Sequence, residues 1–562
     1  VGVILLIILD LLQFVTPKLM GTLTDALYKG TLNTPQLLSL TSIMVLSALL
    51  MLILRFFWRK LILGSSKHIE TWLRGRFFNH LEKLSRTTYL KYKTGDFMNR
   101  ATNDLSAVSQ AFGMGIVMLT DSIFLTIFTL IIMTLEVDLR LTLLVIIPMP
   151  FLALTLFIFG SLIQKRYKTV QEAFSILSER VRETYSGIKI IKSFVQEKPF
   201  VQYFDEASQE NLEAQVKLAK LFGLLFPLIV VISSVSSALA LYFGGSLVID
   251  GSITPGAFVS FIGYLGLLTW PIMAIGWVIN VIERGMASLK RIIEILEIEP
   301  DITDGPQTLP LTSLNGTISC NDLTFSYPGS EVPTLNHVSF TLPQGKKLGI
   351  IGHTGCGKTT IMELIMRSYN VTNNSLYIGD NPIEQIPLSL LRRSIGYVPQ
   401  SGVLFSRSIM RNIALSDMTM TPESIIHYSK IASLHEDVED IQNGYETLLG
   451  EKGINLSGGQ KQRLSIARAL AKNPEILLLD DSFSAVDTQT EEKVLKQLFQ
   501  EVADKTVVIA SHRVSTLQFC DDIIVLKNGC IIQKGTHSEL LEAEGYYKTL
   551  YTKQSLESHL VD

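Results

Sequence analysis

Gly352-His-Thr-Gly-Cys-Gly-Lys-Thr359 follows the apolar run Lys347 to Ile351 and precedes a helical stretch. Glycines at this spacing let backbone N–H groups close around phosphates at a helix start, which makes Gly352, His353, Thr354, Gly355, Cys356, Gly357, Lys358, Thr359 and Thr360 the expected phosphate-binding residues. Lys358 is expected to reach the β- and γ-phosphates, and the Thr359 hydroxyl to bind Mg2+. Further along, the run Ile476-Leu-Leu-Leu-Asp-Asp481 ends an apolar strand on two acids. Asp480 is the expected second Mg2+ ligand, and Asp481 stands where a base would activate the attacking water.

Such a site needs a sheet beneath it. Short β-branched runs at Lys347 to Ile351, Ser375 to Ile378, Ile476 to Leu479, Thr506 to Ile509 and Ile523 to Leu526 alternate with helical patterns, which predicts an α/β domain with a largely parallel sheet. All four cysteines lie in this part, with no C-x-x-C pair, so reduced thiols and a cytosolic domain are expected.

The first half of the chain is different. The chain is 47% hydrophobic and has a mean hydropathy of +0.32, apolar for a soluble protein, so it is expected to enter a bilayer. Crossing takes about 20 mostly apolar residues, and Val1 to Met20, Leu38 to Phe57, Ile116 to Leu135, Leu141 to Leu162, Leu221 to Leu247 and Gly256 to Ile282 qualify. The long links carry Arg59, Lys67, Arg74, Arg86 and Arg100, and then Lys165, Arg166, Arg180, Lys192 and Lys217, so they are expected inside and the short links outside. Both long links keep helical composition and must turn back, with Tyr92 to Asp104 and Ser193 to Phe200 the candidate turns. The sequence opens at Val1 inside an apolar run, so further residues are expected before it. A net charge of -3, without a continuous basic stripe, argues against nucleic acid as a partner.

Leu456-Ser-Gly-Gly-Gln460 leads into the helical run Lys461 to Arg468. With both phosphate motifs and this signature in order, the chain resembles the ATP-binding cassette (ABC) exporters over essentially its whole length. The resemblance implies six transmembrane helices of the type I ABC exporter fold followed by an α/β P-loop nucleotide-binding domain, with residues 1–290 as the membrane domain, 291–315 a linker and 316–562 the nucleotide-binding domain. It further implies a multi-pass protein of the cell inner (plasma) membrane with that domain in the cytoplasm, binding ATP or another nucleoside triphosphate with Mg2+. Tyr327 looks like the aromatic that stacks on the base. Gln400 resembles the residue that senses Mg2+ and the attacking water, Ser484 to Asp487 the D-loop, and His512 the switch histidine that contacts the γ-phosphate. Segments around Gly95 to Asp104 and Phe194 to Phe204 resemble the coupling helices, and Gly450 to Gly453 the X-loop.

This chain departs from the family at Asp481, where Glu is typical, which shortens the base by one methylene. In the family each nucleotide lies between the phosphate motifs of one half and the signature of the other. The resemblance is therefore to the Asp-bearing half of heterodimeric bacterial multidrug exporters: Leu456, Ser457, Gly458, Gly459 and Gln460 would complete the catalytic site of a partner that keeps Glu. Alternatives are a lipid or lipopeptide flippase, a homodimeric exporter and a nucleotide-gated channel or regulator. Cys356 takes a position often filled by Ser, and a tolerated small side chain is expected there rather than a redox switch. Asp10 and Asp121 are ionisable groups inside spans, and with Phe14, Trp270 and Trp277 they are the candidates for a cavity taking amphiphilic or hydrophobic small molecules.

Overall fold

The computed structural model describes residues 1–371, 374–450 and 456–561. The chain divides into two compact units, Val1–Glu82 with Thr94–Ile298, and Lys83–Lys93 with Glu299–Asp562.

The first unit contains six helices long and apolar enough to cross a membrane: α1 (Gly2–Tyr28), α2 (Thr34–Leu81), α4 (Thr94–Glu136), α5 (Leu139–Ser186), α7 (Glu197–Ile249) and α8 (Pro255–Leu296). The four helices that flank the long links, α2, α4, α5 and α7, run 43 to 53 residues, well beyond the length needed to cross, as the polar but helix-favouring composition of those links requires. Asn33, Asp138 and Thr254 cap α2, α5 and α8, each accepting a bond from a backbone N–H in the first turn.

With lipid on one side and protein on the other, close helix approach depends on small residues. Gly21 and Gly256 show this: a Cβ at Gly256 would stand 2.1 Å from the Gly21 carbonyl oxygen, and one at Gly21 would stand 2.4 Å from that of Gly256. Asp25 seals the same crossing, accepting from the Gly256 N–H at 2.7 Å and from the Thr254 hydroxyl at 2.7 Å. Gly256→Ala is expected to cost about 1–3 kcal/mol by overpacking, read as a lower unfolding midpoint of the detergent-solubilised protein. Gly266→Ala on the same helix, where a Cβ meets nothing within 4 Å, is the control.

The two turns of the long links begin earlier than the sequence places them. The first contains a short helix, α3 (Arg86–Lys91), between Ser85 and Tyr92; Gly95 to Asp104 already belongs to α4. The second contains α6 (Ile188–Ser193), which starts at Gly187, and Glu197 to Phe204 already belongs to α7. Each turn has two breaks: the first, at residues 82–85 and at Gly187, is hidden among charged, helix-favouring residues, and the second, at residues 92–93 and 194–196, lies within the stretches the sequence marks. Helix α8 likewise runs on to Leu296, with Ile292 and Ile295 fully buried, so the stretch from 291 to 296 is helix rather than linker.

The second unit has two sheets. A six-stranded sheet has the order β10-β9-β3-β8-β7-β6, where β3 is Lys347–Gly352, β6 Ile395–Val398, β7 Ile476–Asp480, β8 Thr506–Ala510, β9 Asp522–Lys527 and β10 Cys530–Gly535. Strands β6 to β9 pair in parallel with one another or with β3, and β10 closes the edge antiparallel. Strands β7 and β8 are buried on both faces, which is why they read as unbroken apolar runs. The strand expected at Ser375 to Ile378 is observed as β4 (Leu376–Ile378), but it pairs antiparallel with β1 (Ile318–Phe325) in a separate four-stranded sheet with β2 (Leu335–Leu342) and β5 (Asn381–Pro382). All four cysteines are free thiols.

Candidate functional site

Ligands of open parallel sheets lie beyond the carboxyl ends of the strands. Here β3 ends at Gly352, β7 at Asp480, β8 just before His512 and β6 just before Gln400. These four ends converge on a cleft of about 270 Å³ lined by Tyr327, Thr334, Thr354, Gly355, Gly357, Lys358, Thr359, Thr360, Gln400, Asp480, Asp481 and His512. Residues spread over more than a hundred positions of sequence thus reach one site because their strands are neighbours.

The loop leaving β3 has little room for side chains. A Cβ at Gly352 would lie 2.2 Å from the Leu526 carbonyl oxygen, and Gly357, at φ 107°, would bring one within 2.5 Å of Leu335. Helix α9 (Lys358–Ile365) starts directly after Gly357, aiming its free N–H groups at the cleft. The Lys358 ammonium donates to the Gly352 and His353 carbonyls at 2.8 and 3.1 Å. Burial holds its pKa below the ordinary lysine value, opposed by the neighbouring Cys356, Asp481 and Asp480. Three of the expected phosphate-loop residues stay out of the lining: Gly352 sits behind the loop, the His353 ring packs on Tyr546 at 4.9 Å, and Cys356 is 5% exposed with its sulfur 3.9 Å from the Lys358 nitrogen. A thiol so enclosed fits a small packing residue.

The Thr359 hydroxyl donates to Asp480 Oδ1 at 3.1 Å, and the Tyr397 hydroxyl to Asp480 Oδ2 at 3.4 Å. Burial pushes the Asp480 carboxyl above the usual carboxylate range, only partly opposed by the Thr359 hydrogen bond. A hydroxyl and a buried carboxylate side by side at the mouth of the phosphate loop suit Mg2+, a hard cation that keeps its other positions for water and phosphate oxygens. When bound, the ion neutralises charge on the β- and γ-phosphate oxygens.

Asp481 leaves the end of β7 in the left-handed region, at φ 48°, with its N–H donating to the Ala510 carbonyl at 2.9 Å. Its Oδ2 accepts from the Gln400 amide at 3.4 Å. His512 is held below the ordinary histidine pKa first by burial and then by the Lys358 charge, so its neutral form dominates at pH 7.

The signature lies elsewhere. Ser457 caps α10 (Gly458–Ala471) in a capping box, its hydroxyl accepting from the Gln460 N–H at 3.2 Å while the Gln460 side chain accepts from the Ser457 N–H at 3.0 Å. Leu456 is buried, but Ser457 and Gly458 are exposed, and none of the five signature residues lines the cleft of its own chain. Gln462 ties this helix to the segment after Asp481, donating to the Ser484 hydroxyl and accepting from the Ala485 N–H, each at 2.9 Å. Asp487 caps α11 (Thr488–Glu501) by accepting from the Thr490 N–H at 2.9 Å, and it too is outside the cleft. Of the expected X-loop, residues 451–453 lie outside the described residues.

Two regions of this chain match family models: residues 1–272 the ABC transporter transmembrane region, and residues 335–484 the ABC transporter model. The chain is 38% identical over 556 residues to the probable multidrug resistance ABC transporter ATP-binding/permease protein YheI of Bacillus subtilis (strain 168), covering 99% of this chain and 95% of that protein. The chain belongs to the ABC transporter family. It is an ABC exporter half-transporter with one membrane domain and one nucleotide-binding domain. It is also 37% identical over 561 residues to the multidrug resistance-like ATP-binding protein MdlA of Escherichia coli (strain K12), covering 100% of this chain and 95% of that protein. Among solved structures, a bacterial Atm1-family ABC exporter with ATP bound superposes with a TM-score of 0.80 at 25% identity, covering 98% of this chain and 97% of that one.

In this ABC exporter the membrane-domain candidates do not form one cluster. Asp10 is 1% exposed, accepts from the Gln13 amide at 3.0 Å, and lies on α1, which packs against the Asp121–Leu125 turn of α4. Phe14, one turn on, packs edge-on against Tyr264 at 5.9 Å. Trp270 and Trp277 instead stand 59% and 47% exposed on α8, apart from that packed core. Hydropathy marks them as membrane residues but does not say which face of a helix they occupy.

Two of the residues that sequence reasoning missed act one layer back, and a third lines the cleft itself. Tyr397 lies three residues before Gln400 and Gln462 lies in the run Lys461 to Arg468, yet nothing in their spacing shows the bonds to Asp480 and Ser484. Thr334 lines the cleft from the loop before β2 and carries no motif at all.

Proposed function

We propose that this chain is the degenerate-site half of a heterodimeric ATP-driven multidrug efflux pump of the inner membrane, its nucleotide-binding domain in the cytoplasm. The observation that carries the reading is the pairing of Asp481, one methylene short of the usual Glu and resting against Gln400, with a signature exposed outside its own cleft. Within this chain's cleft, Lys358 and the N–H groups of α9 hold the phosphates, Thr359 and Asp480 hold Mg2+ with Gln400 beside them, Tyr327 stacks on the base and His512 meets the γ-phosphate. The base is too short for fast water activation, so the site binds nucleotide and turns it over slowly. Ser457 and Gly459 act on the partner's nucleotide. Closure of the two halves around both nucleotides switches the membrane cavity outward, and hydrolysis beside the partner's Glu resets it.

The cargo reading is of amphiphilic cations. Asp10 and Asp121 each have a buried carboxylate oxygen without a hydrogen-bond partner, and among the described residues neither forms an ion pair. Ionisable groups in that state inside a membrane domain mark pathways.

The test is turnover by the purified chain alone and with its co-expressed partner. Slow hydrolysis alone, fast hydrolysis by the pair, and uptake of a cationic dye by inverted vesicles containing the pair are expected, with Asp481→Asn changing the pair's rate by no more than about twofold. Fast turnover by the chain alone would remove the heterodimer, and lipid translocation without dye uptake would turn the cargo reading to a flippase.

A further inference from the structure

The segment Lys83–Lys93 contains α3 and belongs by its contacts to the nucleotide-binding unit, although the chain enters it from membrane helix α2 and leaves it into α4. From this segment Arg86 reaches Glu363 on α9, and the Arg86 guanidinium forms an ion pair with Glu363 Oε1. The two partners differ sharply in setting: the Glu363 side chain is 2% exposed and that of Arg86 51%. Among the described residues Arg86 supplies the one ion pair Glu363 makes. Burial raises the Glu363 pKa and the Arg86 charge opposes that rise.

The other carboxylate oxygen meets a residue of the cleft. Glu363 Oε2 accepts from the Tyr327 hydroxyl at 3.2 Å, and the same hydroxyl lies 2.9 Å from Thr360 Oγ1. The Tyr327 ring lines the nucleotide cleft and is held edge-on by Phe325 and Tyr369, both at 5.2 Å. The ring is thus held by edge-on aromatic packing and, at its tip, by Glu363 and Thr360. Only the Glu363 contact leads back to a segment joined at both ends to membrane helices.

A buried carboxylate that loses its one counter-charge must take up a proton or turn to its remaining donor. In this geometry that donor is the Tyr327 hydroxyl, so a displacement of Arg86 acts on the tip of the ring.

We propose that Arg86 and Glu363 are positioning residues through which the segment between α2 and α4 sets the orientation of Tyr327, and with it the part of nucleotide affinity that comes from the base. The inference rests on the reading of this cleft as the nucleotide site and of Tyr327 as its base platform. Linkage makes the effect reciprocal: nucleotide held by Tyr327 in turn holds the segment.

The experiment compares Mg-ATP with Mg-tripolyphosphate, which has the phosphates and no base, binding to the full-length wild type and to the variants Arg86→Ala, Arg86→Lys, Glu363→Gln, Arg86→Ala/Glu363→Gln and Tyr327→Ala in detergent. Arg86→Ala is expected to weaken ATP binding about tenfold, within the range usual for coupled sites, and to leave tripolyphosphate binding unchanged. Arg86→Lys should retain most of the ATP affinity. The double variant should recover it, because the glutamine amide still accepts from Tyr327 and needs no counter-charge. Equal losses for both ligands in Arg86→Ala would overturn the proposal by showing general damage to the domain. So would an unchanged ATP affinity in Arg86→Ala when Tyr327→Ala has lost it. An unchanged ratio of the two ligands in Tyr327→Ala would instead remove the base-platform reading itself.

Discussion

In the assembled pair, Gly459→Asp in this chain is expected to lower ATP turnover about 10²–10³-fold while leaving nucleotide binding at this chain's own cleft unchanged. Gly459 lies in the first turn of α10, just after the Ser457 cap, where N–H groups have no helical acceptor. That turn begins at the exposed Ser457 and Gly458 and lies outside the cleft of its own chain, so on the proposed reading the anion it suits is brought by another subunit. A carboxylate placed there opposes a γ-phosphate directly. It also favours the helix start itself, so the domain is expected to stay folded. Gly459→Ala separates charge from shape: its Cβ would meet the Ala485 carbonyl oxygen at 2.9 Å just as that of Asp would, without the charge. The Ala variant should lose much less activity. The same Gly→Asp change in the partner's signature should leave steady-state turnover nearly intact, since on the proposed division of labour it abuts the slow site. Turnover assays on the two single variants read the asymmetry, and equal losses would remove the division of labour between the sites.

What the sequence discloses about such a site depends on how local the physics is. The phosphate loop is legible because its conformation is set within eight residues, and two of its glycines sit where a Cβ would collide with Leu526 or Leu335. The six spans are legible because bilayer thickness sets a length that hydropathy alone can meet. The α3 turn is not, because a short helix of Arg, Thr, Tyr and Lys looks like the helices on either side. Neither is the Arg86–Glu363 pair, in which two ordinary surface-type residues 277 positions apart become partners only when the fold buries one of them. Strand β4 shows a third limit. Its β-branched pattern locates a strand correctly, but pattern does not say which sheet the strand joins, and the pairing with β1 is settled by tertiary contact.

Asp481→Glu is expected to raise hydrolysis at this chain's own site by about 10–100-fold, the inverse of what a misplacement near 1 Å costs a catalytic group. The added methylene carries the carboxylate past the Gln400 amide that now holds it and toward the position of an attacking water. Backbone conformation works against the change. Asp481 sits at φ 48°, a region Asp visits far more readily than longer side chains, so Glu should cost about 1–2 kcal/mol of local strain. The strain lowers stability slightly but leaves the gain in reach, because the Asp481 N–H bond to Ala510 fixes the backbone whichever side chain is present. The clean background is a pair in which the partner's Glu is replaced by Gln, so that the fast site is silent. Adding Asp481→Glu to that pair should restore Mg2+-dependent turnover, and adding Asp481→Asn should not. If the Glu variant binds Mg-ATP normally yet stays silent, side-chain length is not what idles this site. The deficit would then lie in the half of the site that the partner supplies, and the slow site would be a property of two chains rather than of one missing methylene.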